Sequence, residues 1–347
     1  MQDSVGTEPG TRRNKRTRVR LRDVAQKVGV SAITVSRVLR APDKVSAQLR
    51  ENILRAIEDM GYVPDLAARA LAGRHSGIIA VLAPALNSQI LSDVMGGIEA
   101  RMRNTGLHTQ YACTMYSGGE ETGQIRNLLA QNPAGILLVG TECCERIAPT
   151  VISATCPVSY ILDHSQKPEE PMAAAIDHEA VGEAATRHLV SGGYRRIGLL
   201  GGYLDVRSSR RRQGYENVLQ AAGMHDPRLT VMEDEPTSVA LGCRLFSDLL
   251  ARAPDVDAVL CQNDDLALGV LFECQRRGIG VPGDLGICGI NNLEFAASAH
   301  PAITTVDIPR FELGFEAADM LIQAIGGREI AGRRKLGFKL IVRGTTL

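Results

Sequence analysis

The 347-residue chain is long enough for two or three domains, and no stretch of it approaches the about 20 apolar residues of a membrane span. Its 39 Lys+Arg balance 39 Asp+Glu, but unevenly: residues 1–75 carry 15 basic against 8 acidic side chains, net +7, and the remainder 24 against 31, net −7. A basic head on an acidic body suits a polyanionic partner for the head alone.

Residues 1–19 form a basic tail with almost no apolar side chains, expected to stay unfolded until it meets phosphate. The opening MQDSVGTEPG has no apolar signal core, so the expected location is the cytoplasm. Residues 20–39, RLRDVAQKVGVSAITVSRVL, then read as two short helices around a tight turn. Leu21, Val24, Ala25 and Val28 recur at i, i+3, i+4 and i+7 and make one apolar face. Gly29 supplies the left-handed residue that ends a helix. Ser31 is placed as the N-cap of the second helix, its hydroxyl set to accept the N–H of Thr34. Val35, Val38 and Leu39 give that helix a buried face and leave Ala32, Ile33, Ser36, Arg37 and Arg40 on the other. Small and basic residues at the start of an exposed second helix suit entry into the major groove of DNA; an ordinary helical hairpin is the plainer alternative.

A third helix is predicted from Ser46, its N-cap, to Met60, with Leu49, Ile53, Ala56, Ile57 and Met60 as its apolar stripe and Gly61 as its stop. It closes a small helical head over residues 20–63. Pro64-Asp65 then starts and Gly73 stops a short alanine-rich helix within residues 64–75. Such a helix is marginal alone in water, which suits a segment that orders on DNA.

From Ser76 on, short apolar runs alternate with amphipathic stretches. The predicted strands are Ile78–Leu82, His108–Cys113, Gly135–Val139, Val158–Leu162, Ala173–Ile176, Arg196–Leu200, Thr230–Met232, Ala258–Cys261, Gly286–Ile290 and Thr304–Val306. The predicted helices between them are Ser92–Arg103, Glu121–Ala130, His178–Ser191, Arg210–Ala222, Val239–Ala251, Asp264–Arg277 and Phe311–Ile325. This alternation implies parallel sheets with helices on both faces, enough for two lobes.

Ligands bind at the carboxyl ends of strands in open α/β sheets. The residues just past the predicted strands include Asn87, Gln89, Asp163, His164, Arg207, Arg211, Asn263, Asp265, Asn291 and Arg310. Amides and carboxylates can pair the hydroxyls of a polyhydroxylated ligand. A guanidinium grips a carboxylate with two parallel bonds. The plainer alternatives are that Arg207–Arg212 is a solvated basic run and that Asn263-Asp264-Asp265 only caps a helix. Eight scattered cysteines, without CxxC spacing, read as reduced packing residues rather than metal ligands or disulfides. No nucleophile elbow, P-loop, HExxH or dinucleotide fingerprint occurs, so neither catalysis nor a cofactor is expected.

The segments DVA (23–25), VGVSAITVSRVL (28–39), VS (45–46) and GYVPDLAARAL (61–71) closely resemble the lactose-repressor family of bacterial transcription regulators, and the resemblance runs to about residue 345. It implies an all-α helix-turn-helix headpiece, a hinge helix, and an α/β core of two parallel-sheet lobes resembling a periplasmic sugar-binding protein. By resemblance the lobes comprise about residues 76–176 with 307–335, and 177–306 with 336–347. The core looks most like that of gluconate repressors, on CQNDDLALG (261–269), FECQRRG (272–278), VPGDL (281–285) and, more loosely, LDVRSSRRRQGY (204–215). The family match makes Leu71 a wedge for the minor groove. It makes Asp163, Arg211, Asn263, Asp265 and Asn291 effector contacts, with a weaker match at Arg207. It sets Gln89 and Ile90 at the cleft mouth and Arg310 near a crossover between lobes.

These features read as a homodimeric DNA-binding regulator, a repressor of sugar-acid catabolism genes. Its Ser31, Ala32, Ile33, Thr34, Ser36 and Arg37 would face a near-palindromic operator, with gluconate or a ketogluconate as effector and the nucleoid as its location when DNA-bound. Two alternatives stay open: an activator or global carbon regulator with a protein co-effector, and a carbohydrate-binding protein whose basic head serves something else.

Overall fold

The computed structural model describes residues 19–40, 42–63, 75–84, 89–114, 121–140, 154–161, 172–202, 205–330 and 332–347. Leu71, Asn87, Asp163 and His164 lie outside the described residues, as do the tail up to residue 18 and the hinge stretch 64–74. The chain forms two compact units, Met1–Ala72 and Gly73–Leu347.

In the first unit, α1 (Leu21–Val28), α2 (Ala32–Arg40) and α3 (Ala47–Met60) pack around Val24, Ala25, Val35, Val38, Ile53 and Ala56. Gly29, at φ 75°, turns the chain out of α1, and the Val30 N–H returns to the Ala25 carbonyl at 3.0 Å. Ser31 Oγ accepts the Thr34 N–H at 3.1 Å, as its position predicts. Three expectations change. Leu39 is 36% exposed, because Val35 and Val38 already fill the seam and Leu39, about 100° round the helix from Val38, falls on its rim. Ala32 is half-buried against the head core rather than facing solvent. Ser46 stands at the start of α3 without a side-chain cap bond; only its carbonyl is engaged, by the Arg50 N–H at 3.0 Å.

The second unit begins β1 (Ile78–Ala83), α4 (Gln89–Met102), β2 (His108–Cys113), α5 (Glu121–Leu129), β3 (Gly135–Val139), β4 (Val158–Ile161), β5 (Met172–Ala175). It continues α6 (His178–Ser191), β6 (Ile197–Gly202), α7 (Val206–Ala221), β7 (Thr230–Glu233), α8 (Val239–Arg252), β8 (Ala258–Cys261), α9 (Asp264–Arg277). It ends β9 (Gly286–Asn291), α10 (Glu294–Ser298), β10 (Thr304–Asp307), α11 (Arg310–Ile325), β11 (Arg333–Lys335), β12 (Lys339–Ile341). One sheet has the order β11-β5-β4-β3-β1-β2 and is parallel throughout. The other has the order β12-β10-β9-β8-β6-β7, parallel except for the edge strand β12, which runs antiparallel to β10. The chain passes between the sheets after β5, after β10 and after β11. Strands such as IIAVLA in β1 and GILLV in β3 are buried along their whole length, as continuous apolar runs covered on both faces must be.

Three helix pairs cross glycine on glycine. Gly97 of α4 meets Gly314 of α11, Gly182 of α6 meets Gly214 of α7, and Gly242 of α8 meets Gly269 of α9. A methyl group at any of the six would run into a carbonyl of the facing helix; at Gly182 that carbonyl belongs to Arg211. Among the described residues, no helix is long and apolar enough to cross a membrane, and no cluster of His, Cys, Asp and Glu could hold a metal ion.

Candidate functional sites

Strands of both sheets open at their carboxyl ends on one cleft. Pro84, Ile90 and Leu91 border it from the β1 side. His178, Gly202, Asp205, Arg207, Ser208, Arg211, Thr237, Gln262, Asn263, Asn291, Ile308 and Arg310 supply the rest.

Three arginines reach this cleft in three different states. Arg207 is clamped by Asp205, its Nε 2.8 Å from Oδ2. The same Asp205 caps α7 by accepting the Ser208 N–H at 2.7 Å. Burial alone would raise the Asp205 carboxyl, but Arg207, the Ser208 N–H and Arg211 hold it below its ordinary value. Arg310, 9% exposed, donates from Nε to Asp93 at 2.8 Å and from Nη1 to the Asn291 carbonyl. Arg211 has no such carboxylate among the described residues. Its Nη1 donates to the Gln262 carbonyl at 2.6 Å, and its Nε is buried without a partner. Burial, and then the like charge of Arg207, pull its pKa down to about 10 against the opposing pull of Asp205 and Asp264. A desolvated guanidinium short of a counter-ion is a ready anion site.

The polar remainder is set by strand ends and caps. Asn263 caps α9 through its Oδ1, 3.0 Å from the Leu266 N–H, and so offers the cleft only its amide donors. Asn291 ends β9 with φ 112°, in the left-handed region, and its buried Nδ2 has no partner. An unmet buried donor is costly, so this amide too is poised for an acceptor. Asp264 points away from the cleft. It is fully buried, accepts the Leu293 N–H at 2.7 Å and the Thr305 hydroxyl at 2.6 Å, and burial pushes its pKa up to about 6.

Of the residues named from sequence, Ile90, Arg207, Arg211, Asn263, Asn291 and Arg310 come together on the cleft. Gln89 opens α4 exposed, and Asp265 is half-buried one residue past Asp264; neither lines the described cavity. His178, Ser208 and Gln262 line it without having been named. Gln262 bonds Ser208 twice, through the Ser208 hydroxyl and carbonyl, and so braces the start of α7 on the end of β8. Its place between β8 and Asn263 was the available signal.

In the head, Ile33 is 71% exposed and Arg37 is exposed on the same side of α2, while Thr34 and Ser36 are half-buried. Ser31 Oγ lies 2.9 Å from Thr34 Oγ1, so the two hydroxyls bond each other at the start of α2.

Residues 20–65 match the family described as bacterial regulatory proteins, lacI family, and residues 186–346 match a periplasmic binding protein-like domain. The chain is 37% identical over 341 residues to the HTH-type transcriptional regulator GntR of Pseudomonas aeruginosa, covering 97% of this chain and 99% of that one. It is 31% identical over 308 residues to the HTH-type transcriptional regulator IdnR of Escherichia coli strain K12, covering 89% and 92%. The crystal structure of the lac repressor dimer bound to operator and the anti-inducer ONPF is similar with a TM-score of 0.83 at 26% identity, over 95% of this chain and 100% of that one. The crystal structure of transcription regulator GntR from Chromobacterium violaceum is similar with a TM-score of 0.73 at 36% identity, over 78% and 99%.

Proposed function

Because the chain belongs to the lacI family of bacterial regulatory proteins, and is therefore a DNA-binding transcription regulator and not an enzyme, we propose that it represses sugar-acid catabolism genes and that gluconate or a ketogluconate is its effector. The observation that carries the effector is Arg211, half-buried, with its Nε out of solvent and no carboxylate partner among the described residues, beside two amides with unused donors. A neutral sugar would leave that charge uncompensated. A bare acid would leave the amides of Asn263 and Asn291 unmet. A linear sugar acid answers both, with its carboxylate on Arg211 and its hydroxyls on Asn263 and Asn291; Asp163 and Asp265 complete the proposed set.

In this reading residues 1–19 are a basic tail, 20–63 the DNA-binding head, 64–75 the hinge helix and 76–347 the effector-binding and dimerisation core. A homodimer sets two α2 helices on half-sites of a near-palindromic operator, in the cytoplasm and at the nucleoid when bound. Ser31, Thr34 and Ser36 contact phosphate, Arg37 reaches a base edge or phosphate, and Ala32 and Ile33 read methyl groups and shape. Leu71 wedges into the minor groove, so Leu71→Ala should lower the preference for operator over random duplex together with the bend it imposes. Equal losses on both duplexes would assign Leu71 to packing instead.

Calorimetry of the full chain with D-gluconate, glucose and ribose tests the effector. Gluconate should bind and the neutral sugars should not. Comparable affinity for glucose would overturn the sugar-acid assignment and leave the regulator in place.

A further inference from the structure

We propose that Arg310, aligned by Asp93, is the positioning residue that couples occupancy of the cleft to the setting of the two lobes. It opens α11 directly after the chain has crossed from β10. Its Nε and Nη2 hold Asp93 Oδ2 at 2.8 and 2.7 Å, on α4 beside the first sheet. Its Nη1 holds the carbonyl of Asn291, the last residue of β9 in the second sheet. One buried guanidinium thus grips both lobes beside their crossover.

The second grip falls on a residue of the cleft itself. Asn291 offers the cleft a buried Nδ2 without a partner, and its backbone is left-handed, as is that of Asn292 at φ 53°. Non-glycine residues persist in that region only where surrounding contacts over-determine them. The Asn291 carbonyl is held by Arg310, the Asn292 N–H donates to Thr305 Oγ1 at 3.3 Å, and the Thr305 hydroxyl donates to buried Asp264. The next N–H, of Leu293, donates to that same carboxylate. A ligand that draws on the Asn291 amide turns a peptide whose carbonyl Arg310 is holding.

Arg310 is also a wall. It borders the cleft on one side and, on the other, an open space flanked by Asp93, Asp307, Glu312 and Lys339. An ion pair between two open spaces can be remade without unpacking a core.

The inference rests on the proposed effector reading, and Asp93→Asn tests it, because Asp93 is 38% exposed and does not line the cleft. The full chain is measured with D-gluconate as probe and an operator selected from randomised duplexes. Gluconate affinity should stay within about threefold of the parent, while the ratio of operator affinities without and with gluconate falls at least about fivefold, the low end of typical allosteric coupling. Arg310→Lys, which keeps the charge and loses the fork, should lower the same ratio. A ratio that survives both variants overturns the inference, even if the melting temperature falls. If gluconate leaves operator binding by the parent unchanged, the effector reading fails and ligand-free hydrogen exchange decides. Asp93→Asn should then speed exchange at the Asn292 and Leu293 amides at least about fivefold, although Asp93 lies on the other lobe; unchanged exchange there overturns the coupling.

Discussion

The head and the cleft keep their arginines in opposite states. Arg37 stands exposed on α2 with no ion pair among the described residues, whereas Arg207 and Arg310 are clamped by Asp205 and Asp93 and the Nε of half-buried Arg211 is out of solvent. Water solvates an exposed guanidinium, so leaving it unpaired is nearly free, and it can meet a phosphate that is equally hydrated. A desolvated guanidinium must be matched or it destabilises the fold. In the head, therefore, an arginine can face outward with no partner in the fold and stay open to an anion. In the cleft most inward-facing arginines are already engaged by the protein.

The glycines divide in the same way, and they give the largest expected effect. Gly182 is required by sterics, since α7 lies against it at Arg211. Gly182→Val should destabilise the second unit by about 3 kcal/mol, seen as a lower melting transition, and should weaken gluconate binding by displacing Arg211. Gly29 is required by conformation, at φ 75° with open space around it, so Gly29→Ala should cost the head only about 1 kcal/mol. Equal losses at the two positions would remove the distinction.

Next come the arginines. Arg211→Ala should weaken gluconate binding about tenfold or more, because charge-assisted bonds are worth roughly 1.5–3 kcal/mol. Arg207→Gln should cost less than about threefold, since its charge is directed to Asp205. Calorimetry that reverses this order would transfer the carboxylate to Arg207. Arg37→Ala should weaken operator binding by roughly 1–3 kcal/mol in gel-shift titration and leave gluconate affinity intact. A variant that binds operator as well as the parent removes Arg37 from the interface.

The smallest effect is on pH. Burial raises Asp264 in the folded protein to about 6 from 3.8, so between these values the folded state holds the extra proton. Its contribution to stability is therefore largest at low pH and is lost as pH rises through about 6. Going from pH 7 to pH 5 it should add about 1 kcal/mol. His188, whose pKa burial lowers, works against it in the same window, so the measurement is the difference between parent and Asp264→Asn. Parallel stability curves would show that Asp264 does not titrate there.

The strands His108–Cys113, Gly135–Val139 and Ala258–Cys261 and the helices His178–Ser191 and Asp264–Arg277 begin and end where the sequence predicts, because buried apolar runs and caps are local signals. The edge strands β11 and β12 and the short helix α10 went unpredicted. Three residues such as Arg333-Arg334-Lys335 become a strand only because β5 lies beside them. In the cleft, strand ends led to Arg211, Asn263 and Asn291. What they did not reveal was pairing. The predicted start of α7 at Arg210 missed its cap at Asp205, and with it the reason Arg207 is engaged. Gln89 and Asp265 were named from adjacency and a family match, but successive residues in the first turn of a helix point about 100° apart, and neither lines the described cavity.

The glycine crossings bear on how freely the cleft can be redesigned. With α7, α9 and α11 each laid backbone against backbone on a neighbour, these crossings hold the helices without drawing on any cleft side chain. A mutant library restricted to positions 207 and 211 would leave these crossings, the Asn263 cap of α9 and the Gln262–Ser208 brace in place. A single change at any of the six glycines would instead demand a compensating change in the opposite helix, and none is available, because what the new side chain strikes there is a backbone carbonyl, which no substitution removes.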